Sequence, residues 1–202
     1  MHLLDIKPIK QQTKQSCGST CVIMLSSFFS YDYNKVINGK LNIFDLANEL
    51  PTNLNTFIQF YNYTYFDDKF NDINPNSRIN FVKNINSLDH IDNKLFESMI
   101  KALEKGVFLV HKIISIEDIE GAIKNKSPVI VLVSVREFRC VKLDKWRGHF
   151  VLIKGFDDNY FYYNDPHWDD KKFGEHKIEK EHLLLSIAKT KMPAILWIKY
   201  ES

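Results

Sequence analysis

Ser16-Cys17-Gly18-Ser19-Thr20-Cys21-Val22-Ile23-Met24-Leu25-Ser26-Ser27-Phe28-Phe29 and, much further on, Gly148-His149-Phe150-Val151-Leu152-Ile153-Lys154-Gly155 are the stretches whose reading decides the fold. In the first, Val22, Leu25, Phe28 and Phe29 fall at helical spacing, and Ser16 is a residue type that caps helices, so a helix with Cys17 in its first turn is expected. In the second, a histidine opens an apolar run that reads as a buried strand. Asp157-Asp158-Asn159 then makes a turn, and Tyr160 to Asn164 returns as the second arm of a hairpin ending at Asp165-Pro166. A thiol ahead of an apolar helix, an imidazole at the start of a strand and an acid at the end of the next strand are the components of nucleophilic thiol chemistry.

Around these stretches the chain reads as α+β. Residues 1–15 are a polar, extended lead-in interrupted by Pro8. Asn38-Gly39 marks a turn. Two short helices are expected near 43–50 and 53–62, the second with Pro51 at its start. Residues 63–92 are rich in Asn, Asp and aromatics, with turn material at Asn74-Pro75-Asn76-Ser77 and room for short strands near 63–66 and 79–83. Leu95, Met99, Ala102 and Leu103 give a helix stopped at Gly106. A short strand spans 107–112. Ser115 caps a helix carrying Ile116, Ile119, Ala122 and Ile123, with Glu117 and Asp118 favoured in its first turn. Val129-Ile130-Val131-Leu132-Val133 is a strand buried on both faces. A helix near 179–189 and a strand from Ala194 to Tyr200 close the chain. Helices first and a largely antiparallel sheet second imply one domain over 1–202, with a loop- and helix-rich insertion at about 30–110.

The bulk composition narrows the partners. Of 202 residues, 45% are hydrophobic, enough for a core, and the formal net charge of +2 argues against nucleic acid as the main partner. No apolar run approaches the ~20 residues of a membrane span. Met1-His2-Leu3-Leu4 runs straight into Asp5 and Lys7, so no secretory leader is read. Three cysteines, Cys17, Cys21 and Cys140, do not form a disulfide framework. A cytoplasmic location with reduced thiols is expected, and delivery by a dedicated secretion system is compatible with it.

At a helix N-terminus the backbone N–H groups and the helix dipole favour a thiolate, and a neighbouring imidazole favours it further. His149 is the natural partner, held by its strand and given room by Gly148. Asp165 is placed to orient the imidazole. His2, His90, His111, His167, His176 and His182 lack that context. Each signal alone has a bland counterpart: a buried helical cysteine, a satisfied strand histidine, a turn aspartate before proline.

Taken together, Gln11-x5-Cys17-Gly18-x2-Cys21, Gly148-His149-Phe150-Val151-Leu152-Ile153-Lys154-Gly155-Phe156-Asp157 and Asn164-Asp165-Pro166 resemble the peptidase C39-like branch of the papain-like superfamily, which includes bacteriocin-processing peptidase domains. The resemblance implies a papain-like fold, with the nucleophile helix packed on a C-terminal antiparallel sheet. It implies Cys17 as nucleophile, His149 as base, Asp165 as orienting residue, and Gln11 as oxyanion donor together with the Cys17 backbone N–H. Gln12 rivals Gln11 if the register slips by one. Many members carry Asp or Trp before the cysteine, where this chain has Ser16. The implied substrate is a protein or peptide, without a cofactor. Transfer of the acyl group to an amine, deamidation of a glutamine, and a catalytically silent binding module are the alternatives.

A metal site from His167, Asp169, Asp170 and His176 with Asp165 is disfavoured, because Cys17-x3-Cys21 lacks zinc-ligand pairing and the cluster lies in a polar loop. Tyr61, Tyr63, Tyr65 and Phe66 fit core packing better than a partner-binding face. Cys21 is expected in the core and Cys140 as incidental, and Trp168 either walls the site or packs on the surface. Oligomeric state is not legible.

Overall fold

The computed structural model describes residues 1–62, 64–86 and 93–199. Its frame is a sheet of eight strands: β1 (His2–Leu3), β2 (Thr56–Phe60), β3 (Phe108–His111), β4 (Val129–Ser134), β5 (Gly148–Phe156), β6 (Tyr160–Asp165), β7 (Gly174–Glu179) and β8 (Ala194–Ile198). The order across the sheet is β3-β2-β8-β4-β5-β6-β7, and β1 pairs with β5. Every pairing is antiparallel except β2 with β3. The α+β class expected from the sequence is the class observed.

The helices are α1 (Cys17–Phe28), α2 (Ile43–Glu49), α3 (Pro75–Asn86), α4 (Asn93–Glu104), α5 (Ile116–Lys124), α6 (Val135–Phe138) and α7 (Lys180–Ala188). They cover both faces of the sheet, and the central strands divide their side chains between two cores with the period of two that a pleated strand imposes. Ile130, Leu152 and Leu196 join the core under α1, α2 and α4. Val129, Val131, Val133, Val151, Ile153 and Ile195 join the one under α5 and α7. The first core is rich in aromatics. Phe60 meets Phe44, Phe66 and Phe70 edge-on, with ring centroids 5.0–5.9 Å apart. Phe66 is therefore core, and Tyr65 packs against Phe96, whereas Tyr63 lies outside the described residues.

Several local expectations are corrected. Residues 56–60 are strand, not helix, because Thr56-Phe57-Ile58-Gln59-Phe60 pairs in register with β8 on one side and β3 on the other. The 30–110 segment thus supplies two strands to the sheet as well as helices. Residues 79–83 lie in α3, not in a strand. Asn74-Pro75-Asn76-Ser77 opens that helix: the Asn74 side chain accepts the Ser77 N–H at 3.0 Å, and Pro75 sits in the first turn, where its missing N–H costs nothing. Residues 64–66 form no strand, the last strand ends at Ile198, and β1, β7 and α6 were not foreseen.

Ser16 does not cap α1 with its side chain. Its hydroxyl instead exchanges hydrogen bonds with the N–H and carbonyl of Thr13, both at 3.1 Å, closing the turn before the helix. Ser115 does cap α5, in a capping box with Asp118. Gly106 takes the left-handed conformation (φ 87°) expected after α4. Among the described residues, no helix is long and apolar enough to cross a membrane.

Candidate active site

Three elements converge at one end of the sheet. Pairing of Val133 with His149 sets His149 at the start of β5, and Asp165 ends the neighbouring antiparallel strand β6, so both side chains lie at the same sheet end. Helix α1 presents Cys17 there by packing its first turn against β5. Gly18 permits that approach: a Cβ at this position would stand 2.9 Å from Leu46 Cδ2 and 3.1 Å from Phe150 Cδ2. Gly148 has a different use from the one expected. The space beside it is filled by the Trp146 ring and Leu132, at 2.8 and 3.0 Å from where its Cβ would be.

His149 Nε2 is 2.7 Å from Asp165 Oδ1, and the imidazole stands close enough to the Cys17 thiol that each shifts the pKa of the other. Burial by itself raises the Cys17 thiol pKa. The hydrogen bond and charge of His149, with the backbone N–H groups of Phe150 and Gly18, outweigh that and hold it below the ordinary value. Burial likewise disfavours the imidazolium of His149, yet Asp165 and Cys17 push its pKa up to about 9. For Asp165, burial is overcome by His149, Arg139 and the N–H of His167, which keep the carboxyl below its usual range. Cys21, fully buried, has its thiol pKa pushed well up by burial and by Cys17 and Asp165, and belongs to the core.

Gln11 is 5% exposed and Gln12 is exposed, so Gln11 is the amide turned inward. Its backbone N–H donates to the Pro166 carbonyl at 2.7 Å, tying the lead-in to the loop after Asp165. Its side-chain Nε2 donates to the Thr13 carbonyl at 2.5 Å, and its buried Oε1 has no partner. Lys10 pairs with Asp170, and Lys14 Nζ lies 5.0 Å from the Trp168 ring centre, which adds two further ties. From the other side, buried Lys154 donates to the Ile6 carbonyl at 3.2 Å, and Asn164 donates to the same carbonyl at 2.9 Å.

Two residues at the site are given no part in it by the sequence. Arg139, just after α6, pairs with Asp165 Oδ2. No motif signals it, since it sits in an irregular stretch between β4 and β5. His167 stands 5.6 Å from His149, ring centre to ring centre, and its other face carries Trp168, 44% exposed. Its Nδ1 accepts the Asp169 N–H at 3.0 Å, so the proton of the neutral ring is on Nε2. Burial and the charges of His149 and Arg139 lower its pKa to about 4, which keeps it neutral near pH 7. In the polar loop after β6, Asp170 pairs with Lys10, and His176 Nε2 is 3.0 Å from the Lys172 carbonyl. Among the described residues, no three His, Cys, Asp or Glu side chains are grouped to hold a metal. Cys140 is exposed, with its sulfur 3.7 Å from His182 Nε2.

A search of curated proteins gives no match. Among solved structures, the crystal structure of a candidate C39-like peptidase from Bacillus anthracis is similar at 18% identity and a TM-score of 0.48, over 100% of this chain and 98% of that one. The profile of the peptidase C39-like family matches residues 3–192, nearly the whole length, and the chain belongs to that family.

Proposed function

We propose that this protein is a cysteine peptidase that cleaves a peptide or amide bond through Cys17, His149 and Asp165, with residues 1–202 acting as one hydrolase domain on a protein or peptide substrate. The observation that supports this assignment most is the buried His149 imidazole, 2.7 Å from Asp165 Oδ1 through Nε2 and close enough to Cys17 to hold its thiol pKa below the ordinary value. The Cys17 thiolate attacks the carbonyl carbon, and the negative charge passes to the carbonyl oxygen. The Cys17 backbone N–H and the second N–H of the Gln11 amide stabilise that oxyanion. His149 gives its proton to the leaving amine as the C–N bond breaks, leaving a thioester on Cys17. The neutral imidazole then takes a proton from water, whose oxygen attacks the thioester, and the acid departs as Cys17 recovers its electron pair.

Loss of one oxyanion donor typically costs ~3 kcal/mol of barrier, so Gln11→Ala should lower kcat by roughly 10²-fold with little change in KM. Steady-state kinetics on any cleaved peptide checks it.

The experiment that tests the assignment is iodoacetamide labelling from pH 4 to 9 on wild type, Cys17→Ala and His149→Ala. The expected result is one fast thiol, lost with Cys17, whose reactivity rises through a pKa below the ordinary cysteine value and persists toward neutral pH only when His149 is present. Turnover should follow a bell. It climbs as Cys17 becomes thiolate and falls as His149 loses its proton near pH 9, because the neutral imidazole no longer protonates the leaving group. Slow labelling of Cys17 that ignores His149 would refute the assignment.

A further inference from the structure

We propose that Arg139 is the positioning residue of this site, its guanidinium fixing the rotation of the Asp165 carboxylate so that Oδ1 faces His149. This rests on the assignment of Cys17, His149 and Asp165 made above. Asp165 is fully buried, and its two oxygens are held by three donors. Oδ1 is 2.7 Å from His149 Nε2 and accepts the His167 N–H at 2.9 Å, and Oδ2 takes Arg139. Without Arg139, Oδ2 loses its charged donor, and the Phe138 ring, 5.7 Å from the guanidinium carbon, brings no charge to replace it. A buried carboxylate with one oxygen unpartnered is driven to rotate or to take up a proton, and either change loosens its hold on the imidazole.

Arg139 is itself delivered by a pinned platform, which separates it from an incidental surface ion pair. The first residue of α6 donates its N–H to the Arg147 carbonyl at 2.9 Å, closing the neck of the 135–147 excursion. The far end of α6 is held by His182, whose Nε2 lies 2.7 Å from the Glu137 carbonyl. Cys140 adopts a left-handed conformation (φ 51°) directly after Arg139, turning the chain away so that the arginine ends the helix facing Asp165. The Arg139 side chain is only 17% exposed.

The charges around the carboxylate are then balanced: Cys17 thiolate and Asp165 against His149 imidazolium and Arg139. The other titratable groups that act on this cluster are His167 from the loop after β6, Tyr163 from β6, Cys21 from α1 and, through His167, Lys172. His167 is neutral near pH 7, and the phenol pKa of Tyr163 is raised to about 12, so neither substitutes for the arginine.

The test compares wild type with Arg139→Met and Arg139→Lys in the full chain. Two readouts are taken: the far-downfield imidazole proton of His149 in proton NMR, assigned by its absence in His149→Ala, and the iodoacetamide rate of Cys17 at neutral pH. In Arg139→Met the resonance should broaden into solvent exchange, and labelling should slow about 10-fold as the imidazole loses its alignment. Arg139→Lys, which restores one charged donor, should recover most of both. If Arg139→Met does not fold, Arg139→Gln takes its place, with the same losses expected. A folded neutral variant with wild-type resonance and wild-type labelling overturns the proposal. If wild-type Cys17 labels slowly, the peptidase assignment falls, and the His149 resonance, which needs only His149 and Asp165, still decides the role of Arg139.

Discussion

Cys17→Ala is expected to lower kcat by about 10⁶-fold, the scale seen when the nucleophile of a hydrolytic triad is removed, while leaving the fold intact. The substitution removes one sulfur from a partly buried position and adds no bulk against Phe150 or Leu46, so circular dichroism and the melting temperature should hardly change. Its second effect is electrostatic. Cys17 contributes both a hydrogen bond and a charge to the raised pKa of His149, so taking the sulfur away should move the imidazole down from about 9. An NMR titration of the His149 ring in Cys17→Ala against wild type checks this. An unchanged His149 titration would mean that the two side chains do not share an ion pair. Retained turnover would mean that another group is the nucleophile.

Asp165→Asn carries the second-largest expected loss. An amide in this place can donate to His149 where the carboxylate accepts, which inverts the imidazole tautomer, and such a replacement lowers kcat by about 10⁴-fold in a well-built triad. It also strands Arg139. Removing one member of a buried ion pair costs ~3–5 kcal/mol, and the lower end applies because Arg139 retains some contact with water. The expected outcome is therefore a folded protein with a lowered melting temperature, a His149 pKa well below about 9 and almost no turnover. Both effects share one cause, so Asp165→Asn combined with Arg139→Met should recover part of the lost stability and none of the lost activity. Calorimetry and steady-state kinetics on the single and double variants separate the two contributions. Full recovery of activity in the double variant would rule out the orienting role of Asp165.

How much of this was legible beforehand depends on the range of the interaction concerned. Helix α5 was readable because its cap, acidic first turn and apolar spacing all lie within nine residues. Strands β4 to β6 were readable because an unbroken apolar run and a short polar turn declare themselves locally. Cys17 and His149 stood out for a similar reason, each carrying a glycine neighbour and an apolar element on one side. Residues 56–60 were not readable in this way. Their aromatic and β-branched side chains suit a strand, but the adjoining Pro51 and Asn-rich turns suit a helix start equally well, and only pairing with β8, some 140 residues away, decides between them. At Asn74-Pro75 the same residue types serve either a turn or a helix N-terminus, and the α3–α4 packing selects the helix.

By itself, then, the sequence determined the helix that carries Cys17, the hairpin that carries His149 and Asp165, and the family to which their spacing corresponds. The tertiary structure alone decided which glutamine turns inward, that Arg139 and His167 join the site, and that Gly148 makes room for Trp146. The division has a physical origin. Periodicity and capping are set by neighbours a few residues apart and leave a mark in the order of the chain, whereas an ion pair such as Arg139–Asp165 or a hydrogen bond from Gln11 to Pro166 exists only once the sheet has brought distant segments within a few ångströms.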